Sequence, residues 1–136
     1  VISFTIPGEP KSKLRHRTTK TGFTYNPQQN VEYENWVKQC YYIEHKQKML
    51  TGQIKATVEA YFTIPKSTSK KKRKLMIEEK IRPTKKPDTD NIAKIVLDSL
   101  NTLAFDDDKQ IVDLRVLKFY SEEPRVEVTL EPVQEG

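Results

Sequence analysis

The chain has 136 residues, enough for one domain to bury a core without disulfide staples, and its periodic segments exclude disorder throughout. It is 35% apolar and 32% charged, and its single cysteine, Cys40, excludes an intrachain disulfide. No leader-like or membrane-length apolar run is present, which predicts a reducing, cytoplasmic setting and no membrane partner.

The net charge of +5 is unevenly spread. Residues 66–86 hold ten Lys or Arg against Glu78 and Glu79, a net +8, so the rest of the chain sums to −3. A mildly acidic chain with one strongly basic stretch suits a polyanionic partner, of which nucleic acid is the commonest. A solvated charged loop is the alternative.

In chain order, Val1 to Ile6 alternate as a strand, with Ile2, Phe4 and Ile6 on one face, ended by Pro7 and Gly8. A basic segment without period follows (Lys11, Lys13, Arg15, His16, Arg17, Lys20), closed by Gly22 and read as an exposed loop. Asn26 before Pro27 is a helix-start signal, Val31, Trp36, Val37, Cys40, Tyr41 and Ile43 form an apolar stripe, and Gly52 marks the stop. From Ile54 to Ile64 every second residue is apolar, a strand with one buried face. Within the basic stretch, residues 70–81 are a candidate short helix, and Pro83 and Pro87 bracket an extended approach to the next element. Ile92, Ile95, Val96, Ser99, Leu100 and Leu103 recur at helical spacing. Ile111 to Tyr120 and Arg125 to Glu131 read as two strands, joined by a Ser121–Pro124 connection suited to an antiparallel hairpin. The order β-α-β-α-β-β, with one polar face per strand, predicts an α/β (α+β) single domain over residues 1–136. Its sheet is mixed and its helices lie mainly on one face.

Asp88 and Asp90 precede the second long helix; if the chain stays extended between them, both carboxylates point the same way. Asp106, Asp107 and Asp108 follow that helix. Two carboxylates about 4 Å apart repel by on the order of 4 kcal/mol near a protein surface, and a hard divalent cation, Mg²⁺ or Mn²⁺, offsets this without His or Cys. Taken singly, these residues also fit a helix cap, a pair with Lys85 or Lys86, and an acidic turn. On a helix, Asp90, Lys94 and Asp98 share the side opposite the apolar stripe, where Lys94 either meets a phosphate or pairs with an aspartate one turn away, the pair being favoured by spacing. A zinc centre lacks ligands, since only Cys40, His16 and His45 are on offer. The four glycines build no phosphate loop or dinucleotide fingerprint, and no serine sits in a nucleophile elbow.

The stretch KPDTDNIAKIVLDSLN followed by FDDDKQIVDLRVLK, from about Lys86 to Lys118, closely resembles the signature of the RusA-type Holliday-junction resolvases, many of them encoded by phages or prophages. The Pro-Gly and basic N-terminal segment and the lysine-rich region after Pro65 are also similar. The resemblance implies a magnesium-dependent DNA endonuclease, with Mn²⁺ as a plausible substitute, in which Asp88, Asp90 and Asp108 hold the metal. Asp107 is the adjacent alternative in a run of three aspartates, and Lys94 becomes a catalytic or DNA-orienting residue. Pro87 stands where some members carry a basic side chain, which leaves that role to Lys86 or Lys85. The expected substrate is branched DNA, the four-way junction, cut in paired incisions by a homodimer. Trp36 and Tyr41 are candidate interface residues, with core packing the default for both. Candidate phosphate contacts are Lys13, Arg15, Arg17, Lys70, Lys71, Lys72, Arg73, Lys74, Lys85 and Lys86. The competing readings are a flap or single-strand nuclease and a DNA-binding module that does not cut.

Overall fold

The computed structural model describes residues 1–46 and 49–135. Its elements are β1 (Ile2–Pro7), β2 (Arg17–Thr18), β3 (Thr24–Tyr25), α1 (Gln28–His45), β4 (Ile54–Thr63), α2 (Lys70–Ile77), α3 (Thr89–Leu100), a 3₁₀ turn (Asp108–Gln110), β5 (Ile111–Ser121) and β6 (Arg125–Pro132). The main sheet runs β1-β6-β4-β5; β4 and β5 are parallel and the other neighbours antiparallel, so the mixed α+β architecture is as expected. The pair β2 and β3 forms a separate small ribbon.

The expected β5–β6 hairpin does not form, because β4 lies between the two strands. One face of β4, from Ile54 through Ala56, Val58 and Ala60 to Phe62, is wholly or nearly wholly buried, which suits the centre of the sheet, where both edges are paired. Residues Val112 to Arg115 of β5 are exposed, which suits an edge. Two inter-strand spacings are roughly 9–10 Å, within the reach of the link from Ser121 to Arg125. Arg125 holds that link, donating from Nη1 to the Glu123 carbonyl (2.9 Å) and the Ser121 hydroxyl (3.2 Å).

The core lies between one sheet face and the pair α1 and α3. Alternation supplies Ile2, Phe4 and Ile6 from β1 and Val126, Val128 and Leu130 from β6, against Val37 and Tyr41 of α1 and Ile92, Ile95, Val96 and Leu100 of α3. Tyr41 is fully buried, edge-on to Phe4 with ring centroids 5.4 Å apart, so it belongs to the core and to no interface; Trp36 is exposed. On the opposite face Tyr61 stacks on Phe119, Arg125 lies over Tyr61 and Arg82 over Phe119, while α2 packs against β5. Burial, with Glu59 and Glu127 nearby, pushes the Tyr61 phenol up to about 12.

Local signals set the helix ends with some departures. The helix expected over 70–81 stops at Ile77, where the Lys80 N–H bonds the Leu75 carbonyl and the Glu79 N–H that of Met76, with Glu79 at φ 65°. This is the Schellman closure, made here without glycine. Helix α1 ends at His45, well before Gly52, whose φ of 76° instead serves the turn into β4. Asn26 does not cap α1: Pro27 takes the cap position, and Asn26 accepts a bond from Asn30 Nδ2 (2.8 Å).

The basic N-terminal segment is anchored rather than a free loop. Asn30, fully buried, accepts from the Leu14 N–H (2.9 Å) and donates to the Leu14 carbonyl (2.8 Å), and Pro10 is buried. Side-chain anchors of this kind leave no hydrophobic period for sequence patterning to detect.

Candidate active cleft

Helix α3 starts because Asp88, in extended backbone (φ −73°, ψ 156°), precedes residues with a strong apolar stripe. Asp88 takes the cap position, yet its carboxylate makes no capping hydrogen bond, although such a bond is worth about 1 kcal/mol. It stands exposed, in the field of Lys118. The Lys118 ammonium donates to the Lys85 carbonyl (2.5 Å) and lies 5.0 Å from the Phe62 ring centroid; burial lowers its pKa, Asp88 acts to raise it and Lys85 to lower it. The Lys86–Pro87 peptide bond is cis.

The extended Asp88–Asp90 pairing does not occur, because Thr89 and Asp90 are already helical. At about 100° per residue the two carboxylates diverge. Asp90 instead joins Lys94, Leu97 and Asp98 along one side of α3, forming with Asp108, Leu114 and Val116 a cleft of about 470 Å³ between the helix and the edge strand β5. Helix and strand run in opposite directions, so Asp88 lies toward Lys118 and Asp108 beside the foot of the helix. A rise of about 1.5 Å per residue puts roughly 12 Å between the Asp90 and Asp98 positions, with Lys94 midway. Lys94 makes the ion pair its spacing favours, 3.6 Å to Asp98, and its side chain stays mostly exposed.

The acidic turn is held in detail. Gln110 Oε1 accepts from the N–H of Asp106 (2.9 Å) and of Asp107 (3.2 Å), and Gln110 Nε2 donates to the Gly52 carbonyl (3.1 Å). Asp107 caps the 3₁₀ turn by accepting from the Lys109 N–H (2.9 Å), which holds its carboxyl below the usual range. Asp108 has its N–H on Asn101 Oδ1 (2.9 Å) and its carboxylate in the cleft. Burial raises the Asp108 pKa, reinforced by Asp107 and by Asp98. Of the two candidates in the run, then, Asp107 is occupied as a cap and Asp108 lines the cleft beside Asp98.

Asp98 was missed as a member of the site, since spacing assigned it only as a partner for Lys94. Its carboxylate also meets Lys13 Nζ (3.4 Å), which lies 2.8 Å from Glu34. Lys13 is therefore enclosed between two acids, with 12% of its side chain exposed, rather than presented outward. Arg15 and Arg17 are exposed. On α2, Lys70, Lys71, Lys72 and Lys74 are exposed and Arg73 pairs with Glu122 (3.1 Å); Lys85 and Lys86 are exposed beside Asp88.

The carboxylates fall into two groups, Asp88 and Asp90 at the head of α3 and Asp98, Asp107 and Asp108 at its foot. Among the described residues no three His, Cys, Asp or Glu side chains stand together as a ready-made ligand set. The donor chemistry nonetheless fits a hard cation: Mg²⁺ takes one or two carboxylates, keeping water and substrate phosphate as its other ligands. Asp108 has its pKa raised chiefly by burial, with Asp107 and Asp98 adding to it.

The family model for endodeoxyribonuclease RusA matches residues 7–131, and this chain belongs to that family. It is also similar, at 41% identity over 97% of this chain and 96% of the relative, to the protein of Bacillus subtilis (strain 168) named "Uncharacterized protein YqaN". No helix among the described residues is long and apolar enough to cross a membrane.

Proposed function

We propose that this chain is a magnesium-dependent endonuclease that resolves four-way DNA junctions by phosphodiester hydrolysis in the α3–β5 cleft, acting as a homodimer with one incision per site. The observation that carries the reading is the shared cleft of Asp90, Lys94, Asp98 and Asp108 in a member of an endodeoxyribonuclease family. Asp88 and Asp90 at the head of α3 and Asp108 at its foot are the carboxylates proposed for the metal, with Mn²⁺ as a substitute. Since they do not stand together, an ion would take one or two of them directly, with water and substrate phosphate as its other ligands. The bound ion supplies Lewis-acid polarisation of the phosphate and a more acidic attacking water.

The chain's own residues do the rest. Lys94, midway along the cleft and mostly exposed, can exchange Asp98 for a phosphate oxygen and so orient the strand and offset the charge that develops on it. Asn101 and Gln110 hold the acidic turn so that Asp108 keeps its place. The α2 lysines and Lys85 and Lys86 supply phosphate contacts that position the DNA without reading its sequence.

The test is cleavage of a synthetic four-way junction beside duplex and flap controls, with and without Mg²⁺. Junction-selective, Mg²⁺-dependent cutting is expected. Equal cutting of all three substrates contradicts the junction assignment, and tight binding without cutting supports a non-cleaving module.

A further inference from the structure

A second groove, of about 530 Å³, lies on the other side of the Pro10–Leu14 segment, walled by that segment, by α1 and by Lys86 and Pro87. We infer that it holds one unpaired nucleobase of the strand being cut, an inference that rests on the endonuclease reading above. The groove and the catalytic cleft have no lining residue in common. They adjoin through the chain itself, since Pro87 lines the groove and Thr89, two residues on and at most about 7 Å away from Cα to Cα, lines the cleft. A base held here belongs to a nucleotide close to the reacting phosphate.

The groove has the parts that a single-stranded base requires: flat apolar surface within, positive charge at the rim. Trp36 is 39% exposed, yet its indole is fixed by a 2.8 Å bond from Nε1 to the Pro7 carbonyl, so a stacking surface is presented in one orientation. Tyr33, Pro10 and Pro87 extend that surface. The Tyr33 hydroxyl is buried without a hydrogen-bond partner among the described residues, which leaves its desolvation uncompensated. Lys11 and Lys86 are exposed at the groove, and neither has an ion-pair partner among the described residues. Glu32 and Gln29 of α1 line it as well. A carboxylate there repels phosphate but accepts from an exocyclic amino group, so the backbone is kept at the lysines and the base is turned inward.

Trp36 is the only tryptophan in the chain, so its fluorescence reports this groove alone. The full chain is titrated in EDTA, which prevents cleavage, with an end-labelled single-stranded oligonucleotide and with an abasic oligonucleotide of equal length, following label anisotropy and Trp36 emission together. The base-containing strand is expected to change Trp36 emission and to bind about tenfold tighter than the abasic strand at the same salt, from stacking of one base. Trp36→Ala should erase most of that preference and Trp36→Phe retain most of it; the wild-type titration decides the matter if Trp36→Ala fails to fold. Equal affinity and equal emission change with both strands overturn the base subsite while leaving DNA binding intact. A base preference with unchanged Trp36 emission puts the base elsewhere and overturns it too. Failure of both strands to bind overturns the DNA reading itself.

Discussion

Lys13 Nζ lies 3.4 Å from Asp98 Oδ2, and this contact ties the N-terminal segment to the foot of α3, where the acidic turn docks. Since Lys13 also holds Glu34 of α1 at 2.8 Å, one largely enclosed cation joins three parts of the chain. Removing it leaves two acids facing each other. Lys13→Met is expected to lower stability by about 1–3 kcal/mol, in the range of charge-assisted hydrogen bonds, and to leave the salt dependence of DNA binding unchanged. Denaturant unfolding and a salt titration check the two halves; an intact stability with a shallower salt slope assigns Lys13 to phosphate.

The exposed lysines of α2 should behave in the opposite way. Replacing Lys70, Lys71, Lys72 and Lys74 with Gln is expected to leave unfolding within about 0.5 kcal/mol of wild type and to flatten the log–log salt dependence of junction binding by roughly 0.9 per lost contact. Arg73 differs from its neighbours in pairing with Glu122, so Arg73→Gln should affect the slope less. An unchanged slope in the fourfold variant makes the helix a solvated surface.

Glu79 closes α2 with φ 65°, a conformation in which a Cβ is strained and glycine is not. Glu79→Gly should stabilise the chain by about 0.5–1 kcal/mol, read as a rise in thermal midpoint. A loss of stability of similar size contradicts the assignment of strain to this closure.

Asp108 holds its proton more tightly in the folded chain than in the unfolded one, chiefly through burial. The folded state then binds more protons across that window, so this group's contribution falls as pH rises from the ordinary carboxylate range through the raised value. Asp107, lowered by its bond from the Lys109 N–H, acts in the reverse sense and loses its contribution as pH falls. Asp108→Asn should therefore raise the thermal midpoint at neutral pH in EDTA and shrink the further rise produced by Mg²⁺. Midpoints that shift equally with Mg²⁺ in wild type and variant contradict a role for Asp108 toward the ion.

What was legible in the sequence follows from periodicity. The alternation of β1, β4 and β6 and the apolar stripe of α3 are consequences of burial on one face, and the structure has them where the pattern put them. The β5–β6 hairpin was not legible, because alternation fixes which face a strand buries and says nothing of which neighbour it pairs with. Here β4 and β6 are the two central strands, so β4 stands between β5 and β6 and β1 closes the other edge. At the site, the motif residues stood out, but their division between the two ends of α3 depends on where the acidic turn docks. The signal for that was Asn101, whose side chain receives the Asp108 N–H. Asp98 carries two lysine contacts that spacing alone could assign only in part.

The claim that the carboxylates at the head of α3, beside the cleft, serve metal-dependent hydrolysis is tested most directly at Asp88. Its carboxylate makes no capping bond, and Asn is as good a residue at a helix cap, so Asp88→Asn removes one charge while leaving α3 and the lysine contacts in place. The measurement is Mg²⁺-dependent cleavage of a four-way junction by wild type and variant, with junction affinity in EDTA read alongside and folding confirmed by the thermal midpoint. Cleavage should fall by orders of magnitude while binding persists or tightens, because one carboxylate no longer repels the phosphates. Wild-type cleavage by a folded Asp88→Asn variant contradicts the assigned site.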